Sequence, residues 1–317
     1  MKTKKLNPVY PGLAVAILFL AFVGPHVLAD TSNGGVARAF ASPEDAVRAL
    51  GIAANSRDLH ALSDIFGPGF AALRSSDPVE GRREVAAFTE RFNESNDLDQ
   101  VADNRYILET GDDHWPFPIP LVGTNGFWYF DTDAGKQEIL NRRIGYNELE
   151  ALQALRAGDE AQREYAAEDH TGNGVLEFAQ KIVSTPGKKD GLYWSPDIDG
   201  EISPLGPLFA DAQSEGYVKN PDTNAAPRPF HGYFYKILTR QGKHAPAGAY
   251  NYIINGHMLG GFAFVAWPSQ YGESGIMTFI INQQGKVYQK DLGPDTAKKV
   301  STMKEYDPGP GWTISPD

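Results

Sequence analysis

The sequence predicts an α+β protein, with helices and a small antiparallel sheet first, then a long helix packed on a second antiparallel sheet. Three observations carry this. Segments between residues 42 and 92 place apolar residues at helical spacing, and short strand-like stretches replace them by residue 132. From Ala134 to Glu168, Ile139, Leu140, Ile144, Leu149, Leu152 and Leu155 keep a helical rhythm. After residue 231, five strand-like segments alternate with glycine turns.

The chain opens with a targeting pattern. Lys2, Lys4 and Lys5 precede the apolar run Leu13 to Val23, and Val27-Leu28-Ala29 fits a small-x-small cleavage site. The run is shorter than the ~20 residues of a bilayer span. Residues 1–29 therefore read as a signal peptide cleaved after Ala29, which leaves 288 of the 317 residues and a periplasmic or secreted protein. No later apolar stretch is long enough to span a membrane.

Residues 30–41 read as a flexible leader and 42–133 as a small α+β domain. Ser42 is a helix N-cap, Pro43 suits the first turn, and Glu44 and Asp45 favour the positive end of the dipole. A second helix runs near Asp58 to Phe66 and stops at Gly67-Pro68-Gly69; a third spans roughly Pro78 to Phe92. Pro118 to Val122 and Phe127 to Asp131 flank the turn Gly123-Thr124-Asn125-Gly126. Residues 134–307 form the second domain and 308–317 a tail. Gly145 and Gly158 are expected to kink or interrupt its long helix. Thr171 to Pro229, rich in Gly, Pro, Asp and Asn, reads as mostly irregular. Strands are expected at His231 to Thr239, Tyr250 to Asn255, Gly261 to Trp267, Ile276 to Asn282 and Lys286 to Lys290, forming an antiparallel meander.

Composition narrows the partners. Hydrophobic residues make up 41% of the chain, enough for a real core. The formal charge is -11, and losing the three signal lysines takes it to -14. Such a protein is repelled by phosphate backbones, which argues against nucleic acid. Cysteine is absent. That excludes disulfides, thiolate nucleophiles and Cys-ligated metals, and leaves the core or a bound ion to hold an exported chain.

Three constellations could carry chemistry. In Asp169-His170-Thr171-Gly172-Asn173-Gly174-Val175-Leu176-Glu177, oxygen donors fall at alternating positions. Asp169, Thr171, Asn173, the Val175 carbonyl and Glu177 are the candidate ligands for Ca2+. The spacing starts like an EF-hand, but Gln180 stands at the twelfth position, and the alternative is a turn that closes the helix without an ion. Asp112, Asp113 and His114 set two carboxylates beside an imidazole, an acid/base pair or a polar turn entering a strand. His231, His244 and His257 would make a zinc site only if the fold converged them. Among the aromatics, Trp194 and Tyr193 fall in a loop region and are the candidates for stacking on a ligand. The motifs G-x-S-x-G, H-E-x-x-H, the P-loop and G-x-G-x-x-G are missing.

Ser42 to Leu50 (SPEDAVRAL), Trp115 to Leu121 (WPFPIPL), Arg142 to Glu148 (RRIGYNE), Asp190 to Trp194 (DGLYW), His231 to Gln241 and Gly260 to Leu292 together resemble the bacterial exported family known as domain of unknown function 2950. The resemblance spans nearly all of the mature chain and implies export, with no agreed activity. A second, weaker resemblance rests on Asn147 to Arg156, Ala161-Gln162 and Tyr165. It is similar to the helix of pilin and pseudopilin globular domains, which leads through a loop into an antiparallel sheet. In those proteins an apolar segment precedes the helix, whereas Asn141-Arg142-Arg143 stands here. The order of the N-terminal part resembles cone-shaped domains of the nuclear transport factor type.

The reading that follows is a non-enzymatic binding, structural or assembly protein of the envelope, with an envelope protein or a glycan as partner. The rivals are a hydrolase of cell-wall or polysaccharide material using Asp112, Asp113 and His114, and a calcium-stabilised carbohydrate-binding protein using Trp194.

Overall fold

The structure, a computed structural model, describes residues 37–75, 77–198, 200–215 and 228–316. The signal segment and the leader up to residue 36 lie outside the described residues.

Helix α1 (Pro43–Ser56) starts as its sequence demands, with the Ser42 hydroxyl accepting from the Asp45 N–H. Asp58 caps α2 (Leu59–Phe66), and Asp77 caps α4 (Pro78–Glu94) after the short α3 (Phe70–Leu73). Strands β1 (Asn96–Ala102), β2 (Arg105–Thr110), β4 (Leu121–Thr124) and β5 (Phe127–Phe130) form an antiparallel sheet in that order, with β3 (Trp115–Pro116) also on β2. The β4–β5 turn places Asn125 at φ 54° and Gly126 at φ 78°, the left-handed pair that an Asn-Gly hairpin supplies. Phe40 bridges Trp128 on β5 and covers that edge, while β1 is the opposite edge.

Helix α5 (Thr132–Tyr165) runs unbroken for 34 residues through both glycines. Gly158 is there for closeness, because a Cβ would sit 3.2 Å from the Phe264 ring. Gly145 meets nothing within 4 Å. The helix serves two cores. Ile139 packs with the first, formed by Val47, Leu50, Ile65, Leu108, Leu121 and Phe130. Ala151, Leu152, Leu155 and Tyr165 belong to the second, with Phe262, Val265 and Ile280. Leu149 was expected on the same stripe but is 61% exposed. At 100° per residue it lies about 120° round the helix from Leu155, beyond the covered face.

Of the stretch read as mostly irregular, Thr171 to Pro229, the described residues before 206 are irregular apart from a 3-10 turn, α6 (Gly206–Ser214) is a helix the composition did not suggest, and 216–227 lie outside the described residues. The second sheet is an antiparallel meander. Strands β6 (Tyr233–Leu238), β11 (Ala263–Pro268), β12 (Met277–Asn282) and β13 (Tyr288–Asp291) are neighbours in that order. Between β6 and β11 lie β7 (Arg240–Gln241), β8 (Tyr250–Asn251), β9 (Ile253–Ile254) and β10 (His257–Met258). The single strand expected at Tyr250 to Asn255 is split, because β8 pairs with β7 and β9 turns back on β10. Helix α7 (Thr296–Thr302) leads to β14 (Glu305–Tyr306), which lies parallel to β7. The last residues are not a loose tail, since β15 (Thr313–Ile314) pairs with β13 as the fifth strand and Trp312 packs on the core. No described helix is long and apolar enough to cross a membrane.

Candidate functional site

The densest set of charges joins α4, α5 and the entry to β6. Glu80 and His231 have side chains only 1% and 2% exposed. Around the imidazole, Glu215 lies 3.2 Å from Nε2, Glu150 3.8 Å from Nε2, and Glu80 3.8 Å from Nδ1. Arg83 donates to both Glu80 oxygens and stacks over the Tyr146 ring at 3.7 Å. Burial pushes the Glu80 carboxyl up, but His231 and Arg83 outweigh it and hold it below the usual carboxylate value. Glu215 goes the other way, raised by burial and by Glu150 and Glu80 against the pull of His231 and Arg83. Burial and the Glu150 charge also raise the Tyr146 phenol. His231 is held at φ 46°, and a Cβ on the next residue, Gly232, would sit 2.5 Å from the Asn147 amide. With both central side chains sealed from solvent, this cluster is a buried clamp.

The segment Arg142 to Glu148 lies beside that clamp on α5 and adds contacts of its own. Arg142 donates to the Pro116 carbonyl, and Arg143, 5% exposed, pairs with Glu84 and donates to the Leu73 carbonyl. Asn147 donates to the Ser274 carbonyl, while Glu148 accepts from the N–H groups of Ile276 and Met277, both at 2.9 Å. One turn and a half of helix thus grips the N-terminal helices on one side and the second sheet on the other.

Asp112, Asp113 and His114 stand on an exposed turn. Asp113 accepts from Arg91 at 2.6 Å, which holds its carboxyl below the usual range, and His114 lies 3.1 Å from Glu109. In the Asp169 loop the donors are used internally. Asp169 Oδ1 accepts from Gly172 and Asn173, and its Oδ2 from Gly174. Asn173 accepts from the Val175 N–H and donates to Glu177, whose other oxygen faces the Met258 N–H. Thr171 Oγ1 is turned towards Asp169. This geometry closes the turn through its own N–H groups.

Trp194 and Tyr193 are not surface aromatics. They are 2% and 6% exposed, because the loop is hydrogen-bonded like a strand: Leu192 and Tyr193 donate to the Lys181 and Ile182 carbonyls. The Tyr193 ring stacks on Phe209 at 3.9 Å. The exposed tryptophan is Trp115, 45% accessible and flanked by Arg91 and Arg142. His231, His244 and His257 form no joint metal cluster. His244 pairs with Asp307 and His257 with Glu177, each 2.9–3.1 Å away.

An open hollow lies between α1 and β1, with a volume of about 870 Å³. Its lining is apolar at Val47, Ile52, Phe92 and Leu98 and charged at Glu44, Arg48 and Asp97. Ile52 is 66% exposed, a large side chain left uncovered on the outer face of α1. Sequence reasoning missed this groove because α1, α4 and β1 meet there only in the fold.

The family model described as "Protein of unknown function (DUF2950)" matches residues 37–314. The chain belongs to that family. The matched DUF2950 region covers both sheets, the shared helix and the buried clamp. Comparison with curated proteins and with solved structures gives no match. The pilin-like and transport-factor-like resemblances therefore stay at the level of element order.

Proposed function

We propose that this protein is an exported, non-enzymatic binding protein of the cell envelope. Its ligand in this reading is an extended, basic segment of a partner protein, held along β1 and in the groove beside it. One observation carries the reading: an apolar groove opens beside an edge strand whose outer face bears acids. Among the described residues β1 pairs only with β2, and Asp97 and Asp99 on it are exposed, with Val101 50% exposed between them and the strand end. An edge strand offers main-chain hydrogen bonds to an added strand, and neighbouring pockets select its side chains. The acids on β1 favour lysine and arginine on the incoming segment.

The test uses synthetic strand-forming peptides of equal hydrophobicity, bearing either Lys or Glu, followed by fluorescence anisotropy. The Lys peptides should bind the mature protein, the Glu peptides should not, and Ile52→Glu should weaken binding at least tenfold while leaving the melting temperature unchanged. Equal binding by Ile52→Glu would remove the groove from the reading. Export is tested separately: the intact mass of protein recovered from outside the cytoplasm should begin at Asp30.

A further inference from the structure

Just beyond α5, three side chains of metal-ligand type come together away from the clamp and the groove. Ligand atoms of Glu168, His170 and Glu201 all lie within 4.8 Å of one another. His170 is the informative member. Its side chain is 7% exposed, and its Nε2 is buried without a hydrogen-bond partner among the described residues. The ring is fixed between Tyr165, at 4.6 Å, and Trp194, at 5.1 Å, so its aim is set by packing. Nδ1 points at Glu201, 3.9 Å from Oε1.

We propose that Glu168, His170 and Glu201 bind a divalent transition-metal ion of the zinc type. The donor set fits: one imidazole and two carboxylates suit zinc, with water completing a tetrahedron. Two ligand atoms each ~2.1 Å from a tetrahedral zinc stand roughly 3.4 Å apart. The observed 3.9 Å between His170 and Glu201 needs only a small closure. Glu168, which is exposed, has the freedom to complete the set. A chain without cysteine has no thiolate to compete for the ion.

Lys189 supplies the built-in alternative. Its ammonium pairs with Glu201 and lies 5.4 Å from the centre of the Trp194 ring. Metal binding draws Glu201 away from Lys189 and so changes the surroundings of a buried indole. The bound ion ties the end of α5 to the loop after Trp194, and the Tyr165 hydroxyl already donates to the Lys189 carbonyl there.

The experiment titrates the mature protein with Zn2+ and with Co2+. Expected are saturable one-to-one binding, a change in tryptophan fluorescence, and Co2+ absorption bands of a four- or five-coordinate N/O site. Glu201→Gln and His170→Asn should each weaken Zn2+ binding at least about tenfold, the range that even outer-shell partners of a metal command. Glu201→Gln leaves the aromatic packing intact, so it keeps the test valid if His170→Asn unfolds. Binding of unchanged strength in Glu201→Gln, or no Co2+ bands in the parent protein, would overturn the site.

Discussion

At the residue scale, the difference between Leu149 and Leu152 shows what burial decides. Both are leucines on α5, three residues apart, yet Leu152 is 8% exposed and Leu149 is 61% exposed. Truncation of a buried leucine loses its transfer free energy and leaves a cavity. Leu152→Ala should therefore lower stability by roughly 2–5 kcal/mol, and Leu149→Ala should stay within about 0.5 kcal/mol. Urea denaturation of the two variants measures both, and an equal loss would show that the two leucines share one environment. Trp194 makes the same point in reverse. A tryptophan in an irregular segment looked available from sequence, but its loop pairs its N–H groups with residues 181 and 182 and turns the ring inward.

At the element scale, α5 is one helix because tertiary contacts on both faces outweigh two unfavourable glycines. The two positions differ in what surrounds them. At Gly145 an added methyl meets open space, so Gly145→Ala should raise stability by about 0.5–1 kcal/mol through helix propensity alone. At Gly158 the same methyl would stand 3.2 Å from the Phe264 ring, in a contact tighter than ordinary packing. Gly158→Ala should gain less than Gly145→Ala or lose stability, as Phe264 and its strand must yield. Thermal unfolding of both variants decides it, and equal gains would mean that helix and sheet are not closely packed there. The first helix cap and the hairpin turn were legible in sequence, because Ser42 and Asn125-Gly126 act on their own backbone.

At the scale of the whole molecule, two hydrophobic cores share one helix, and the clamp around Glu80 and His231 ties them. Its charges make stability depend on acidity. Glu80 has its native carboxyl held below the ordinary value of 4.5. Its contribution is thus fully present above 4.5 and is lost as pH falls through the lowered native value. Glu84 and Glu215 are raised and act in the opposite sense, binding protons more tightly in the native state and easing the acid loss. Glu80→Gln should lower stability at neutral pH and flatten the fall below 4.5 in urea midpoints measured across that range. An unchanged acid limb would place the dominant acid-sensitive carboxylates elsewhere. The sequence by itself determined the α+β class, the starts of α1, α2 and α4, the hairpin turn and the family, because each depends on residues near one another in the chain. Only the tertiary structure decided which charges are sealed together, which tryptophan faces solvent, that a groove opens beside β1, and that Glu201 approaches His170. Those pairings cross separations from 31 residues, for His170 and Glu201, to more than a hundred, for Glu80 and His231. No local pattern encodes such distances; they follow from how the helices and sheets bury their apolar faces against each other.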